Sequence, residues 1–237
     1  MAQNNWFEFK QFRIEQEKAA MKVGTDGVLL GAWTPVNDAL RILDVGTGTG
    51  LIALMLAQRS NARIDAVEID EPAFEEAELN FKQSDWSDRL RIFHSDFLIF
   101  ADLSSESYDL VVSNPPFFVN SLKTKNVALS VARHDELLSF DQLISGARKL
   151  LNKTGRFCVI IPYTSCTDFR ESARLAGFYL GHQTPVIPKS GRSPKRVLLE
   201  FTIVPGYPVE NELTILDENG SYSEAYQSLT SPFYPAF

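Results

Sequence analysis

Short apolar runs rich in β-branched residues alternate with longer segments of helical spacing through most of the chain. Runs of that kind predict buried strands, and the longer segments predict helices packed on them. Strands are expected at Arg41–Val45, Ile64–Glu68, Leu90–His94, Tyr108–Ser113 and Arg156–Ile161. Helices are expected at Leu51–Arg59, Glu71–Ser84, Ser139–Leu151 and Ser165–Ala176. Ser139 and Gln142 have capping-box spacing. Gly177 suits the position just past a helix. Phe178–Thr184 and Val197–Val204 predict a late antiparallel pair joined by a basic loop. Upstream, Phe7, Phe9, Phe12 and Ile14 alternate with polar residues, the period of a strand or hairpin. Gly27–Trp33 predicts a short apolar helix with Thr25 or Asp26 as N-cap. The tail predicts a strand near Leu213–Leu216 and a helix near Ser223–Leu229.

Strand and helix alternating over short links imply βαβ units. The expected fold class is α/β: a doubly wound, mostly parallel Rossmann-like sheet with an antiparallel edge. No linker, repeat or low-complexity segment interrupts it. One domain is expected over residues 1–237, with an N-terminal extension (1–35), a core (36–204) and a C-terminal tail (205–237).

Composition adds limits. The 237 residues are 44% hydrophobic and 22% charged, ample for a core. No leader-like start and no apolar run of about 18 residues is present, so no membrane span is expected. Cys158 and Cys166 are too few for a disulfide framework or a metal cluster, and a reduced, cytoplasmic compartment is expected. A monomer is expected. The net charge of −7 argues against nucleic acid, but its distribution matters more. Residues 118–134 carry Lys123, Lys125 and Arg133 and no acid. Residues 186–196 carry Lys189, Arg192, Lys195 and Arg196 and no acid. These segments suit a phosphate-binding face, though solvated loops would look the same.

The candidate chemistry lies where strands end. Asn114-Pro115-Pro116-Phe117 follows the strand Tyr108–Ser113. Successive prolines stop the sheet ladder and stiffen the turn. The turn offers an amide oxygen from Asn114, a carbonyl from Pro115 and a ring from Phe117. Two such acceptors can hold both hydrogens of a planar amino group while a ring stacks on its heterocycle. Asp44-Val-Gly46-Thr47-Gly48-Thr-Gly50 is a strand-to-helix turn with glycine at alternate positions, where backbone amides can approach a ligand. The third glycine comes one residue early for a dinucleotide fingerprint. Asp44 would repel a pyrophosphate and suits an ammonium. Glu68, 18 residues beyond Gly50, could accept both ribose hydroxyls, with Ile69 beside it. Asp70 reads as a helix cap. Asp96 could accept from an adenine amino group with Phe97 covering the ring, or could simply make an Asx-turn. Together these features describe an adenosyl ligand with an amino-acid tail, S-adenosylmethionine.

The pattern resembles the class I methyltransferases, and Asn114–Phe117 resembles the turn of those that methylate planar amino groups. The resemblance extends to Phe9-Lys-Gln-Phe-Arg-Ile-Glu-Gln-Glu-Lys-Ala-Ala-Met-Lys-Val-Gly-Thr-Asp-Gly-Val-Leu-Leu-Gly-Ala-Trp33, to Ala132-Arg-His134 and to the aromatic ending. These look like the bacterial tRNA1(Val) (adenine-N6)-methyltransferases. The resemblance implies methylation of N6 on the anticodon-loop adenine, without a metal. It also suggests that Thr25 and Asp26 close over the methionyl end, against an ordinary helix cap. His134 and Arg133 read as a structural or phosphate-contacting pair. Three other readings stand beside this one. A glutamine-N5 or rRNA guanine-N2 methyltransferase would share the turn. A nucleotide-dependent oxidoreductase would use the glycine loop alone. A non-catalytic adenosyl-binding module would have no need of Asn114 and Phe117.

Overall fold

The computed structural model describes residues 5–116 and 138–235. Phe117, Lys123, Lys125, Arg133 and His134 lie outside the described residues.

A two-stranded antiparallel hairpin opens the chain, β1 (Trp6–Glu8) against β2 (Arg13–Glu15). Helix α1 (Thr25–Trp33) follows. It starts two residues before the expected Gly27. Its N-cap is Gly24 and has no side-chain cap bond, so neither Thr25 nor Asp26 is the cap. Then come β3 (Arg41–Val45), α2 (Leu51–Arg59), β4 (Arg63–Glu68), α3 (Glu71–Gln83), β5 (Leu90–His94), α4 (Phe97–Leu103) and β6 (Tyr108–Ser113). From residue 138 onward come α5 (Phe140–Leu150), β7 (Leu151–Pro162), α6 (Cys166–Leu175), β8 (Tyr179–Lys189), β9 (Arg196–Thr202), β10 (Val209–Glu210), β11 (Leu213–Leu216) and α7 (Glu224–Thr230). The Ser139–Gln142 capping box forms on α5, and Gly177 adopts φ +85° beyond α6.

The main sheet has the order β10-β8-β9-β7-β6-β3-β4-β5, with β11 also on β8. β3, β4, β5, β6 and β7 are parallel to their neighbours among these five. β9 runs against both β7 and β8. The antiparallel feature is therefore one reversed strand. Beyond it β8 runs with the parallel set again and carries β10 and β11 parallel to itself. β8 also continues past the expected Thr184, because Pro185 keeps the register opposite Val197 although it brings no amide donor.

Side chains alternate across the sheet as strand geometry requires. Ile42, Leu110, Val112, Cys158 and Ile160 face a cluster built with α1, α2, the N-terminal hairpin and the tail. Leu43, Val111, Phe157, Val159 and Ile161 face a second cluster built with α4, α5 and α6. The strands are thus covered on both faces, which is why they read as continuous apolar runs. The two chain ends meet on the first side. Lys10 N donates to Phe233 O at 2.8 Å, Lys10 Nζ donates to Ser231 O at 2.7 Å, and Phe9 stacks on Tyr234. No described helix is long and apolar enough to cross a membrane.

Candidate active site

From β3 the chain steps outward to β4 and β5, then returns to place β6 on the other flank of β3. That reversal makes the β3/β6 boundary a topological switch point, where open α/β sheets leave a crevice at their carboxyl edge. Register pairs Val45 with Ser113 and Val67, and Glu68 with His94. The strand ends therefore line up. Asn114, the glycine loop, Glu68 and Asp96 follow one another along one edge in the order β6, β3, β4, β5, about 4.8 Å apart per strand. The structure brings these four predicted elements together.

Asp44, at the end of β3, is fully buried. Its Oδ2 accepts from Thr47 Oγ1 at 2.6 Å and from Ala53 N at 3.2 Å. Its Oδ1 has no partner among the described residues. Burial, above all, pushes the carboxyl up to about 7, and the nearby Glu68 charge adds to the rise. An unpaired, desolvated carboxylate oxygen would be stabilised by a cation, and an ammonium would supply both charge and hydrogen bond.

The glycine loop works differently from the expectation. Its amides do not point free: Gly46 N and Thr47 N donate to Val67 O, Gly48 N to Glu68 Oε2 and Gly50 N to Thr47 O. The loop is held from within, and four of its five amides are spent on that. What the glycines provide is backbone shape and room. Gly46 and Gly48 take φ +68° and +57°, and a Cβ on either would meet no atom of the described residues within 4 Å. Glycine leaves that room open at a backbone conformation that side chains rarely adopt.

Glu68 is anchored by three amides: Gly48 N at 2.8 Å on one oxygen, and Ile69 N and Asp70 N, both at 2.9 Å, on the other. A carboxylate so fixed keeps lone-pair capacity to accept further. Ile69 is 58% exposed, an apolar side chain left open beside that carboxylate. Asp70 caps α3 through Ala73 N at 3.1 Å. Asp96 caps α4, its Oδ1 accepting from Leu98 N and Ile99 N. Phe97 is a correction. Its ring is 5% exposed, sits in the core against Gly146 of α5, and cannot cover an adenine. Asp26 is paired with Arg196 at 2.7 Å, which ties the start of α1 to the start of β9 and leaves Thr25 exposed beside it.

At the end of β6, Ser113 Oγ donates to Val45 O at 2.8 Å and pins the two strand ends together. Asn114 comes next. Its Oδ1 is buried and has no partner among the described residues. Pro115 is buried and Pro116 exposed. An unpaired buried amide oxygen costs roughly 1–3 kcal/mol, so a donor from a bound molecule is favoured there. The β8–β9 hairpin rises at the same carboxyl edge, since Arg196 pairs with Pro162 at the end of β7. Its tip carries Lys189, Arg192 and Lys195, all exposed, whereas Arg196 is turned to Asp26.

The family model "Methyltransferase small domain" matches residues 22–166. A tRNA1(Val) (adenine(37)-N6)-methyltransferase of Phocaeicola vulgatus is 48% identical over 231 residues, covering 98% of each chain. One of Bacteroides fragilis is 44% identical over 230 residues, covering 97% of each. This chain belongs to the tRNA1(Val) (adenine(37)-N6)-methyltransferase family. The solved structure of a predicted O-methyltransferase from Agrobacterium tumefaciens shares the fold with a TM-score of 0.67 at 19% identity, over 88% of this chain and 96% of that one.

Two features packed beside this methyltransferase's candidate site went unread in the sequence. His94 stacks on Phe74 and its Nε2 lies 3.1 Å from Ile69 O, so it holds the segment after Glu68. Glu76 and Asn80 are buried although polar. Their signal was present: with Ala73, Ala77 and Phe81 they form one helical stripe, and two polar residues interrupt it.

Proposed function

We propose that this chain transfers a methyl group from S-adenosylmethionine to the exocyclic N6 of adenine 37 in the anticodon loop of tRNA1(Val). The observation that carries this reading is Asn114 Oδ1 at the switch point, buried and without a partner among the described residues. The residues fit the cofactor. Among the described residues Asp44 Oδ1 lacks a partner and suits its ammonium, the space beside Gly46 and Gly48 is open, and Glu68 and Ile69 offer an acceptor and an apolar surface for a nucleoside. Bound there, S-adenosylmethionine supplies an electrophilic methyl on a sulfonium whose departure leaves a neutral thioether.

The chain's task is to make the amine a nucleophile. The lone pair of an adenine amino group is delocalised into the ring. Asn114 Oδ1 and the Pro115 carbonyl would accept its two hydrogens, hold the nitrogen and favour pyramidal geometry. The lone pair then leaves the ring plane in a fixed direction. This is catalysis by orientation and preorganised dipoles, and it needs no strong base before transfer, because the methylated nitrogen is cationic and releases its extra proton afterwards, to solvent. Phe117 would stack on the base. An unpaired loop nucleotide is cheap to flip out. Lys189, Arg192 and Lys195 would contact backbone phosphates at the same edge, with Lys123, Lys125 and Arg133 as further candidates.

The test uses unmodified tRNA1(Val) transcript, labelled cofactor and nucleoside mass spectrometry. N6-methyladenosine is expected, and none when adenine 37 is replaced by guanine. Asn114→Ala should lower kcat by about a hundredfold or more, with affinity for S-adenosylhomocysteine changed by less than roughly threefold. Product in the guanine transcript, or an Asn114→Ala enzyme of normal kcat, would overturn the assignment.

A further inference from the structure

The inward stripe of α3 is Ala73, Glu76, Ala77, Asn80 and Phe81. Glu76 is 4% exposed and Asn80 is 1% exposed. Buried polar groups need partners, and here backbone groups from distant parts of the chain supply them. Glu76 Oε1 accepts from Glu17 N at 2.5 Å and Lys18 N at 2.9 Å, and its Oε2 from Ala19 N at 2.9 Å. Asn80 Oδ1 accepts from Glu15 N at 2.9 Å, and Asn80 Nδ2 donates to Glu15 O at 3.0 Å. The same Nδ2 also donates to Thr49 O at 2.9 Å. Thr49 stands in the glycine loop, between Gly48 with its open flank and Gly50, which abuts Phe81.

One amide thus touches both the segment 15–24 and the cofactor loop. That segment is closed on itself, since Val23 N donates to Gln16 Oε1 at 2.8 Å. It then runs into α1, where Gly27 lies against Leu51, the first residue after the glycine loop. The segment is therefore tied to the loop indirectly at each of its ends, through Asn80 at Glu15 and through α1 at Gly27, like a strap.

We infer that Asn80 is a positioning residue that couples the strap 15–24 to the glycine loop, so that ligand at the loop and docking of the strap each favour the other. Coupling of this kind is reciprocal by thermodynamic necessity. If the strap lifts, the Asn80 amide loses both Glu15 partners and its hold on Thr49 O loosens. If a ligand steadies the loop, Thr49 O stays in place and the amide is preset for Glu15. The inference rests on the S-adenosyl reading above.

The experiment joins calorimetric binding of S-adenosylhomocysteine to amide hydrogen exchange over 15–24. In the unaltered protein the ligand should slow exchange in the strap. Asn80→Ala should weaken the ligand about tenfold, as one or two buried hydrogen bonds would. It should raise KM for the cofactor while kcat stays within about threefold, and strap exchange should no longer respond to ligand. Glu76→Gln touches the strap alone and is the milder change. It too should weaken the ligand, and the double variant should lose less than the two single losses combined. Two results would overturn the coupling: Glu76→Gln frees the strap at unchanged affinity, or Asn80→Ala lowers affinity with strap exchange still slowed by ligand. If the unaltered protein binds no S-adenosylhomocysteine, the cofactor reading itself fails and takes this inference with it.

Discussion

Asp44 is an acid that holds its proton toward neutrality because the fold has removed its water. Burial lifts its carboxyl from 3.8 to about 7. A carboxyl raised by folding holds its proton in the native state over a range where the unfolded chain has lost it. Its contribution to stability is present below the unfolded value and is lost as pH rises through about 7. Ligand binding should run the other way. An ammonium prefers the ionised carboxylate, so affinity for S-adenosylhomocysteine should fall as pH drops below 7, approaching about tenfold per unit. Titration calorimetry in buffers of different ionisation heat would show the proton released near neutrality. Asp44→Asn should bind weakly and with a flat pH profile. A flat profile in the unaltered protein would refute the role given to Asp44.

Among the elements, the β8–β9 hairpin makes the clearest prediction. It places three exposed cations beside the row of acceptors on an otherwise acidic protein. Replacing Lys189, Arg192 and Lys195 together by alanine should raise KM for tRNA roughly tenfold at about 0.1 M salt and flatten the salt dependence by up to about three phosphate contacts. Cofactor affinity should not change. A tRNA KM unmoved by the triple substitution would remove the hairpin from the interface. The elements were mostly legible in advance because strands covered on both faces leave unmistakable apolar runs. α4 was not. Phe97–Leu103 is short and apolar, a pattern that does not distinguish strand from helix, and only the Asp96 side chain folding back on Leu98 N and Ile99 N decides it. The acceptors at the strand ends were legible for a related reason: a polar residue closing an apolar run must face the edge. The bonds within the glycine loop were not, since backbone pairing leaves no trace in residue identity. Nor was Phe97, whose position after Asp96 suggested the ligand while its ring belongs to the core.

Across the whole molecule, the tail is a structural part of the first core cluster. Phe233 is 1% exposed within it, next to the N-terminal hairpin. Phe233→Ala should lower stability by about 3–5 kcal/mol, measured from the urea midpoint at unchanged m-value. A loss below about 1 kcal/mol would mean the tail is dispensable padding.

The meeting of the two ends also sets a timetable. Lys10 and Ser231 touch across 221 positions of sequence. A contact so remote is among the slowest to close, because the intervening chain must first be gathered in. During synthesis Phe7 and Phe9 are made long before their tail partner Tyr234, whereas Phe12 meets Trp86 earlier. Until the tail is made, Phe7 and Phe9 lack that ring beside them, and apolar surface left open in this way favours association between unfinished chains.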